Sequence, residues 1–254
     1  MREWIRLGLD VLVPRACLAC DQPLAAGAAS ALCAPCLAAI VGSSGGPAAG
    51  PVASACARCG ALAGARCPSC AKRCPEFTSA RCLGPYRPGD PHDVLARAVQ
   101  RLKYHGCRAL AGPLAELLAA HYPFADDALL VPVPLHVSRL RARGYNQAVL
   151  LARGLARRRG LACDPRVLVR TRATAEHAGL GADARRANVR GAFRLRPGVH
   201  VHHPVVVVVD DVLTTGATAD ACARVLRAAG ARQVHVYTIG RTPEPRLWAD
   251  RGMA

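Results

Sequence analysis

Long apolar runs, aromatic side chains and lysine are all scarce in this sequence. No apolar run approaches the roughly 20 residues that a membrane-spanning helix needs, so we expect no such helix. Residues 4–14 are apolar but contain Arg6 and Asp10, and no small-residue cleavage site follows them. We therefore expect an amphipathic helix there, not a signal peptide, and a cytoplasmic protein. Aromatic residues make up only 4% of the chain, which disfavours a surface that stacks nucleic-acid bases.

Positive charge is abundant, and nearly all of it is arginine. The formal net charge is +17, and Lys72 and Lys103 are the only lysines among 34 basic residues. Seven basic and three acidic residues give +4 for residues 1–75, and the remainder carries +13. Such a balance favours anionic partners, either phosphorylated metabolites or nucleic acid. An ordinary solvated surface rich in arginine is the alternative.

The thirteen cysteines include four Cys-x-x-Cys pairs before residue 75. Without a secretory signal, paired cysteines indicate metal more than disulfides. Two tight knuckles of thiolates are typical of a closed, structural zinc (Zn²⁺) site, so two zinc ions are expected. Interleaved sharing of the pairs also fits the spacing, and Cys74 or Cys82 could replace a ligand. The proposed ligands are Cys17, Cys20, Cys33 and Cys36, with Cys56, Cys59, Cys67 and Cys70.

The chain divides by composition into two expected domains. Residues 1–75 are expected to form an N-terminal helix and a double zinc ribbon, and residues 76–254 the main domain. The main domain has helical patterns over 93–104, 110–121, 147–158 and 218–229, and strand patterns over 129–133, 167–169, 205–209 and 234–239. This alternation predicts an α/β fold with a doubly wound, mostly parallel sheet. The arginine-rich segment after residue 135 and the polar segment 170–192 are predicted to be loops.

The segment 206–218 has the most specific chemistry. A valine run ends in Asp210 and Asp211, and a threonine-glycine turn over 214–218 then begins a helix. Ligands of open α/β sheets bind beyond the carboxyl ends of strands, where such a turn suits a phosphate. The carboxylates suit the two hydroxyls of a ribose and a nearby Mg²⁺. An acidic strand end with an ordinary helix cap is the alternative, but it explains two acids and three threonines poorly.

These thirteen residues resemble the 5-phosphoribosyl diphosphate (PRPP) signature of type I phosphoribosyltransferases. The resemblance implies that the catalytic pair Asp210 and Asp211 holds the ribose hydroxyls, with Mg²⁺ accompanying PRPP. The 5-phosphate would be bound by Thr214, Thr215, Gly216, Ala217 and Thr218. Two adjacent carboxylates repel each other, so replacing both with asparagine is expected to leave the ligand-free protein as stable or slightly more stable.

A second segment resembles the ComF/GntX family. Val131-Pro-Val-Pro-Leu135 precedes several arginines and the sequence Arg143-Gly-Tyr-Asn-Gln147. The family places its pyrophosphate loop at this proline-rich strand end, and arginines suit a diphosphate. A solvated basic loop is the alternative. The resemblance implies that the ligand is contacted by Val133, Pro134, Arg139, Arg143, Asn146 and Gln147.

Three further segments are similar to that family: Arg101-Leu-Lys-Tyr-His-Gly106, residues 170–174 and residues 188–193. The long polar segment between the last two resembles a hood loop that closes over PRPP and excludes water. Where many relatives have a glutamine in this loop, the present chain has His177. No role is carried over to that position.

The resemblance implies an enzyme that transfers a ribosyl phosphate group and releases pyrophosphate, with its acceptor unspecified. The alternative is a single-stranded DNA-binding competence protein that acts in DNA uptake, with PRPP as a bound or regulatory ligand. Other proteins of the competence machinery would then be partners. A purely structural zinc scaffold would leave the 206–218 segment unexplained. None of these hypotheses fixes an oligomeric state.

Overall fold

The computed structural model describes residues 15–42, 56–61, 67, 70, 71, 74–174 and 182–243. Residues 4–14, expected to be helical, lie outside the described residues. The elements in chain order are α1 (Ala34–Gly42), β1 (Ser79–Pro85), α2 (Val94–Tyr104), a 3₁₀ turn (Arg108–Leu110), α3 (Ala111–Ala120), β2 (Leu129–Pro132), α4 (Val137–Arg143), α5 (Gln147–Arg159), β3 (Leu168–Arg170), α6 (Ala182–Val189), β4 (Phe193–Leu195), β5 (Val205–Leu213), α7 (Ala217–Ala228) and β6 (Gln233–Arg241).

Four strands form one parallel sheet in the order β1-β6-β5-β2, and β3 pairs with β4 in a small antiparallel hairpin. The predicted α/β class with a mostly parallel, doubly wound sheet is confirmed. β1 was not expected from the sequence, because Arg81 and Gly84 interrupt its apolar residues. Its pairing with β6, which begins with Ser79 opposite His235, stabilises a strand that the local sequence alone does not indicate.

The valine run of β5 contributes side chains to the hydrophobic clusters on both faces of the sheet. Val207 and Val209 lie in one hydrophobic cluster with α2, α3 and α5, while Val206 and Val208 lie in another with α7 and the hairpin. All four are completely buried. Successive side chains of a strand point to opposite faces, so an uninterrupted apolar run fits a strand that is covered on both sides.

Two segments predicted as loops contain helices. The arginine-rich segment forms α4, which begins after His136 and ends at Gly144 in the left-handed conformation. The polar segment 170–192 contains α6, whose Ala-Asp-Ala-Arg-Arg-Ala sequence has high helix propensity. Both predictions were wrong because polarity reports exposure to solvent and says little about backbone conformation. Residues 175–181, which include His177, lie outside the described residues.

The two cysteine sets pack against opposite faces of the sheet. Cys17 and Cys36 belong to the hydrophobic cluster of α2, α3 and α5, and Cys59 and Cys67 to that of α7. Two specific contacts attach the sets: Arg101 donates to Asp21 at 2.7 and 2.5 Å, and the Ala80 N–H donates to the Arg58 carbonyl at 2.8 Å. The cysteine segment thus shares its core with the sheet. The division at residue 75 stays a prediction.

Within the described residues, every helix is too short or too polar to cross a bilayer.

Candidate functional site

A cavity opens where two neighbouring strands part. β2 stays paired with β5 only as far as Pro132 opposite Val209, whereas β5 pairs with β6 as far as Leu213. One edge of β5 is therefore free of β2 from Asp210 onward. The sequence predicted a strand that ends before the two acids. The strand in fact runs through Asp210 and Asp211, because β6 continues to supply hydrogen-bond partners.

The two acids have different surroundings. Asp211 is 2% exposed, and its Oδ1 lies 3.0 Å from the Lys103 Nζ. Its Oδ2 is buried and has no hydrogen-bond partner among the described residues. Asp210 is only partly buried, and its Oδ1 accepts a 2.9 Å hydrogen bond from the Asp211 N–H. Lys103 thus compensates the more deeply buried acid, and Asp210 is the more accessible one.

Burial and the negative charge of Asp211 raise the pKa of Asp210 to about 7, although Lys103 and Arg170 act in the opposite direction. Burial alone would lower the pKa of the Lys103 ammonium. The neighbouring charges of Asp211 and Asp210 outweigh that effect, so the pKa of Lys103 lies above its ordinary value. A carboxyl group that holds its proton near neutral pH can exchange it for a ligand donor or a cation.

The turn after β5 is held in a fixed shape. Gly216 has φ 79°, a left-handed conformation that glycine adopts without strain, and α7 begins at the next residue. The buried Arg241 donates to the Leu213 carbonyl at 3.0 Å and also to the Thr214 carbonyl. These contacts fix the strand end from which the turn leaves. The turn leads into the positive end of the α7 dipole, which favours an anion.

An arginine-rich wall follows the end of β2. Arg139 on α4 donates to the Thr174 carbonyl at 2.9 Å. Arg143 donates to the Gln147 Oε1 at 2.6 Å, and its guanidinium lies 5.5 Å from the centre of the Tyr104 ring. Among the described residues, neither arginine has a carboxylate partner. Their charges are therefore available to an anionic ligand.

Arg170 reaches the same wall from β3. It donates to the Thr174 hydroxyl, and its guanidinium lies 5.2 Å from the Phe193 ring centre. Its Nε is buried without a hydrogen-bond partner among the described residues. Burial and the nearby Arg139 lower the pKa of Arg170, which shows how closely the positive charges are gathered.

Asn146 joins this wall to the sheet. Its side chain caps α5 by accepting from the Ala148 N–H at 2.9 Å, and it donates to the Val133 carbonyl at 2.9 Å. Both ends of its amide are thus used by the protein. Asn146 therefore positions the start of α5 relative to the end of β2.

The cavity enclosed by these elements has a volume of about 570 Å³, which is ample for a small-molecule ligand. Ten predicted site residues line it: Val133, Arg139, Arg143, Gln147, Asp210, Asp211, Thr214, Gly216, Ala217 and Thr218. Three others are not among its lining residues: Pro134, Asn146 and Thr215. Thr215 instead accepts from the Ala217 N–H at 3.4 Å.

Sequence reasoning missed several lining residues: Tyr86, Gln100, Lys103, Tyr104, His105, Arg170 and Thr238. The segments 101–106 and 170–174, noted for their family resemblance, contain four of them. That resemblance indicated the right segments, but it did not show which side chains face the cavity. Tyr86 and Thr238 had no such indication, because each reaches the cavity through the pairing of β1 with β6.

Each cysteine set forms a compact cluster with its four sulfur atoms within 4.8 Å of one another. Representative Sγ–Sγ distances are 3.7 Å for Cys20 and Cys33, and 3.5 Å for Cys59 and Cys67. A tetrahedron with Zn–S bonds of about 2.3 Å has edges of about 3.8 Å, so both clusters can hold zinc. The pairs are shared in sequence order and are not interleaved.

Backbone donors favour thiolate in the first cluster. The Cys33 and Ala19 N–H groups point to the Cys17 Sγ at 3.3 and 3.5 Å. Burial would raise the pKa of Cys17, but these hydrogen bonds outweigh it and lower the pKa to about 6. Cys74 and Cys82 belong to neither cluster.

Comparison with known proteins shows that the chain is similar to proteins named for DNA utilization and for competence. No protein-family model matches it. DNA utilization protein YhgH of Salmonella typhi is 35% identical over 199 residues, which cover 74% of this chain and 85% of that protein. The YhgH protein of Escherichia coli O157:H7 is 32% identical over 91% of this chain and 98% of its own length. Competence protein F of Haemophilus influenzae is 31% identical over 69% of this chain and 78% of its own length.

Proposed function

This chain belongs to the ComF-like family of DNA utilization protein YhgH and competence protein F, and we propose that it acts in the uptake or use of DNA with PRPP bound in its cavity. The observation that carries the proposal is the convergence of three kinds of group on one cavity. They are a threonine-glycine turn at a helix N-terminus, a carboxylate pair, and an arginine wall that has no carboxylate partner among the described residues.

Each group suits one part of PRPP. The turn Thr214–Thr218, with the α7 N-terminus behind it, would bind the 5-phosphate. The acidic end formed by Asp210 and Asp211 would lie at the ribose hydroxyls. Arg139 and Arg143 would bind the diphosphate.

The charges also match. Among the described residues that line the cavity, four side chains are cationic (Lys103, Arg139, Arg143 and Arg170) and two are carboxylates. This excess of positive charge, in a cleft with low-dielectric walls, attracts a polyanion.

A Mg²⁺ ion is compatible with the acidic end, where the partly exposed Asp210 offers carboxylate oxygens beside the buried Asp211. Mg²⁺ usually takes only one or two protein carboxylates and completes its shell with phosphate oxygens and water. When bound, it would neutralise part of the diphosphate charge.

Ribosyl transfer is the second candidate function, and the arginine wall favours it. In that reaction the bond between the anomeric carbon and the diphosphate oxygen breaks, and pyrophosphate leaves with the electron pair. A nitrogen atom of the acceptor then forms the new bond. Arg139 and Arg143 would stabilise the departing negative charge, which is a preorganised electrostatic contribution.

Single-stranded DNA is the proposed macromolecular partner, with other competence proteins. The family membership and the +13 charge of residues 76–254 support it. The exposed Arg194 and Arg196, on and just after β4, are suited to phosphate contacts, whereas the exposed Arg166 is paired with Asp164 at 3.2 Å. Because aromatic residues are few, we expect affinity to depend mainly on charge.

Thermal-shift titrations with PRPP–Mg²⁺ and with a single-stranded oligonucleotide, each at about 50 and about 200 mM salt, test the proposal. A ligand that binds only the folded protein raises the melting temperature with concentration. The DNA response should collapse at the higher salt, and the PRPP response should largely persist. No response to PRPP would refute the ligand assignment, and no response to DNA would refute the partner.

A further inference from the structure

Lys103 is exceptional in a chain that uses arginine almost everywhere. It is one of two lysines among 34 basic residues, and it lies near the C-terminal end of α2 with its side chain 19% exposed in the cavity. A lysine ammonium is a compact charge with three donors, whereas a guanidinium is a planar fork. A compact cation therefore suits this crowded position next to two carboxylates.

Asp211 is arranged to hold this ammonium and has little access to a ligand. Its side chain is 3% exposed, and its Oδ1 lies 3.0 Å from the Lys103 Nζ. Its Oδ2 is buried out of contact with solvent. One oxygen is thus engaged in the ion pair and the other is buried, so Asp211 has little carboxylate surface left for a ligand. Asp210, which is partly exposed, remains as the carboxylate that faces a ligand.

The residue next to Lys103, Tyr104, lines the same cavity and contacts its arginine wall. The Tyr104 ring lies under the Arg143 guanidinium, with 5.5 Å between its centre and the guanidinium carbon. One turn of α2 thus contacts both the acidic end, through Lys103, and the arginine wall, through Tyr104. Only one of its three donors is needed for the ion pair with Asp211.

We propose that Lys103 is a further ligand-binding residue, whose ammonium is held by Asp211 and donates to the diphosphate oxygens nearest the ribose. Asp211 is then a positioning residue that acts through Lys103, and Asp210 is the acid that contacts the ligand. This division of roles rests on the proposed function, since it assumes that PRPP occupies the cavity.

Isothermal titration of the full-length, zinc-loaded protein with PRPP–Mg²⁺, pyrophosphate–Mg²⁺ and ribose 5-phosphate tests it. Lys103→Met should weaken binding of PRPP and pyrophosphate by about tenfold or more, and binding of ribose 5-phosphate much less. Lys103→Arg, which keeps the charge, should recover part of the loss. Arg157→Met removes one exposed charge outside the cavity, so it should leave all three affinities unchanged.

Double variants separate the two acids. Asp211→Asn should weaken pyrophosphate binding about as much as Lys103→Met, and Lys103→Met should add little to it. By contrast, the losses caused by Asp210→Asn and Lys103→Met should multiply, because those two residues contact different parts of the ligand. If Lys103→Met does not fold, the neutral double variant Lys103→Met/Asp211→Asn is compared with Asp211→Asn alone, and equal affinities are expected.

Three outcomes would overturn the inference while PRPP still binds the parent protein. Lys103→Met could weaken ribose 5-phosphate as much as PRPP, or have no larger effect than Arg157→Met. Alternatively, Lys103→Met could couple to Asp210→Asn as strongly as to Asp211→Asn. A parent protein that binds neither PRPP nor pyrophosphate would instead remove the proposed function itself, and the role of Lys103 with it.

Discussion

The cysteine clusters and the cavity gather polar groups in opposite ways. Each cluster draws four thiols from a short stretch of chain and turns their sulfur atoms toward one point, mostly away from solvent. The cavity draws its groups from three strands, four helices and the segments between them, and leaves its arginines without carboxylate partners among the described residues. We therefore expect the clusters to depend on an ion for their stability, and the cavity to keep its shape without a ligand. Metal removal should damage the fold, and ligand removal should not.

Zinc removal should have the largest effect. We expect two equivalents of zinc in protein purified without chelator, because both clusters have sulfur spacings close to the edge of a zinc–thiolate tetrahedron. Structural zinc contributes on the order of 10 kcal/mol to folding, so Cys17→Ser should lose one equivalent and melt at a much lower temperature. Elemental analysis and circular dichroism melts measure both.

Cys74→Ser is the matched control, since Cys74 is exposed and belongs to neither cluster. It should retain two equivalents and the melting temperature of the parent. A content near one equivalent in the parent would mean that one cluster is only a group of free thiols. No zinc at all would show that neither cluster binds this metal, and the contrast between the clusters and the cavity would fail.

The two acids should give the next largest effect, and the structure changes what is expected of them. Asp210→Asn/Asp211→Asn should abolish PRPP binding. The sequence alone predicts unchanged or greater stability, because the repulsion between the carboxylates is removed. The ion pair alters this expectation, since the double variant leaves Lys103 buried without its partner. Breaking such a pair from one side costs about 3 kcal/mol.

The single variants should therefore differ in sign. Asp210→Asn should melt higher than the parent, because it removes repulsion and retains the Lys103–Asp211 pair. Asp211→Asn should melt lower. Chemical denaturation and titration calorimetry on the same preparations measure both properties. Normal PRPP binding by the double variant would refute the site, and equal stability of the two single variants would refute the distinction between the acids.

The sequence predicted those parts of the molecule that are determined locally. The valine run of β5 is buried on both faces, and the thiols of the four Cys-x-x-Cys pairs meet in one of the two arrangements that their spacing allows. Regions that depend on distant partners were missed. β1 exists because β6 pairs with it, and Lys103 faces Asp211 only once α2 has packed on the sheet. No local pattern shows that a lysine at the end of an amphipathic helix will meet an acid 108 residues away.

Arg143→Ala should have an intermediate effect on one class of ligand. Loss of one charge-assisted contact costs about 1.5–3 kcal/mol, so binding of PRPP and pyrophosphate should weaken about tenfold or more. Ribose 5-phosphate, which has no diphosphate, should bind almost as before. Arg141→Ala is the control, since this exposed arginine lies on the same helix and outside the cavity lining. Titration calorimetry with the three ligands decides, and an equal loss for all of them would mean that Arg143 supports the fold.

The smallest predicted effect is a pH dependence that originates at Asp210. Burial, together with the charge of Asp211, raises the pKa of this carboxyl from 3.8 to about 7 in the folded protein. Between these two values the folded state holds a proton that the unfolded chain has released. The free energy of unfolding must therefore fall as pH rises through this window, and above it the loss is complete. From about pH 6 to about pH 8, the melting temperature of the parent should decrease more than that of Asp210→Asn.

PRPP–Mg²⁺ affinity should change in the opposite direction and increase with pH, since the ionised carboxylate is the better acceptor and cation ligand. Both proteins keep both cysteine clusters, so any titration of the thiols cancels in the comparison. Identical pH profiles for the two proteins would show that Asp210 ionises with its ordinary pKa, and that its surroundings in the cavity do not disfavour its charged form.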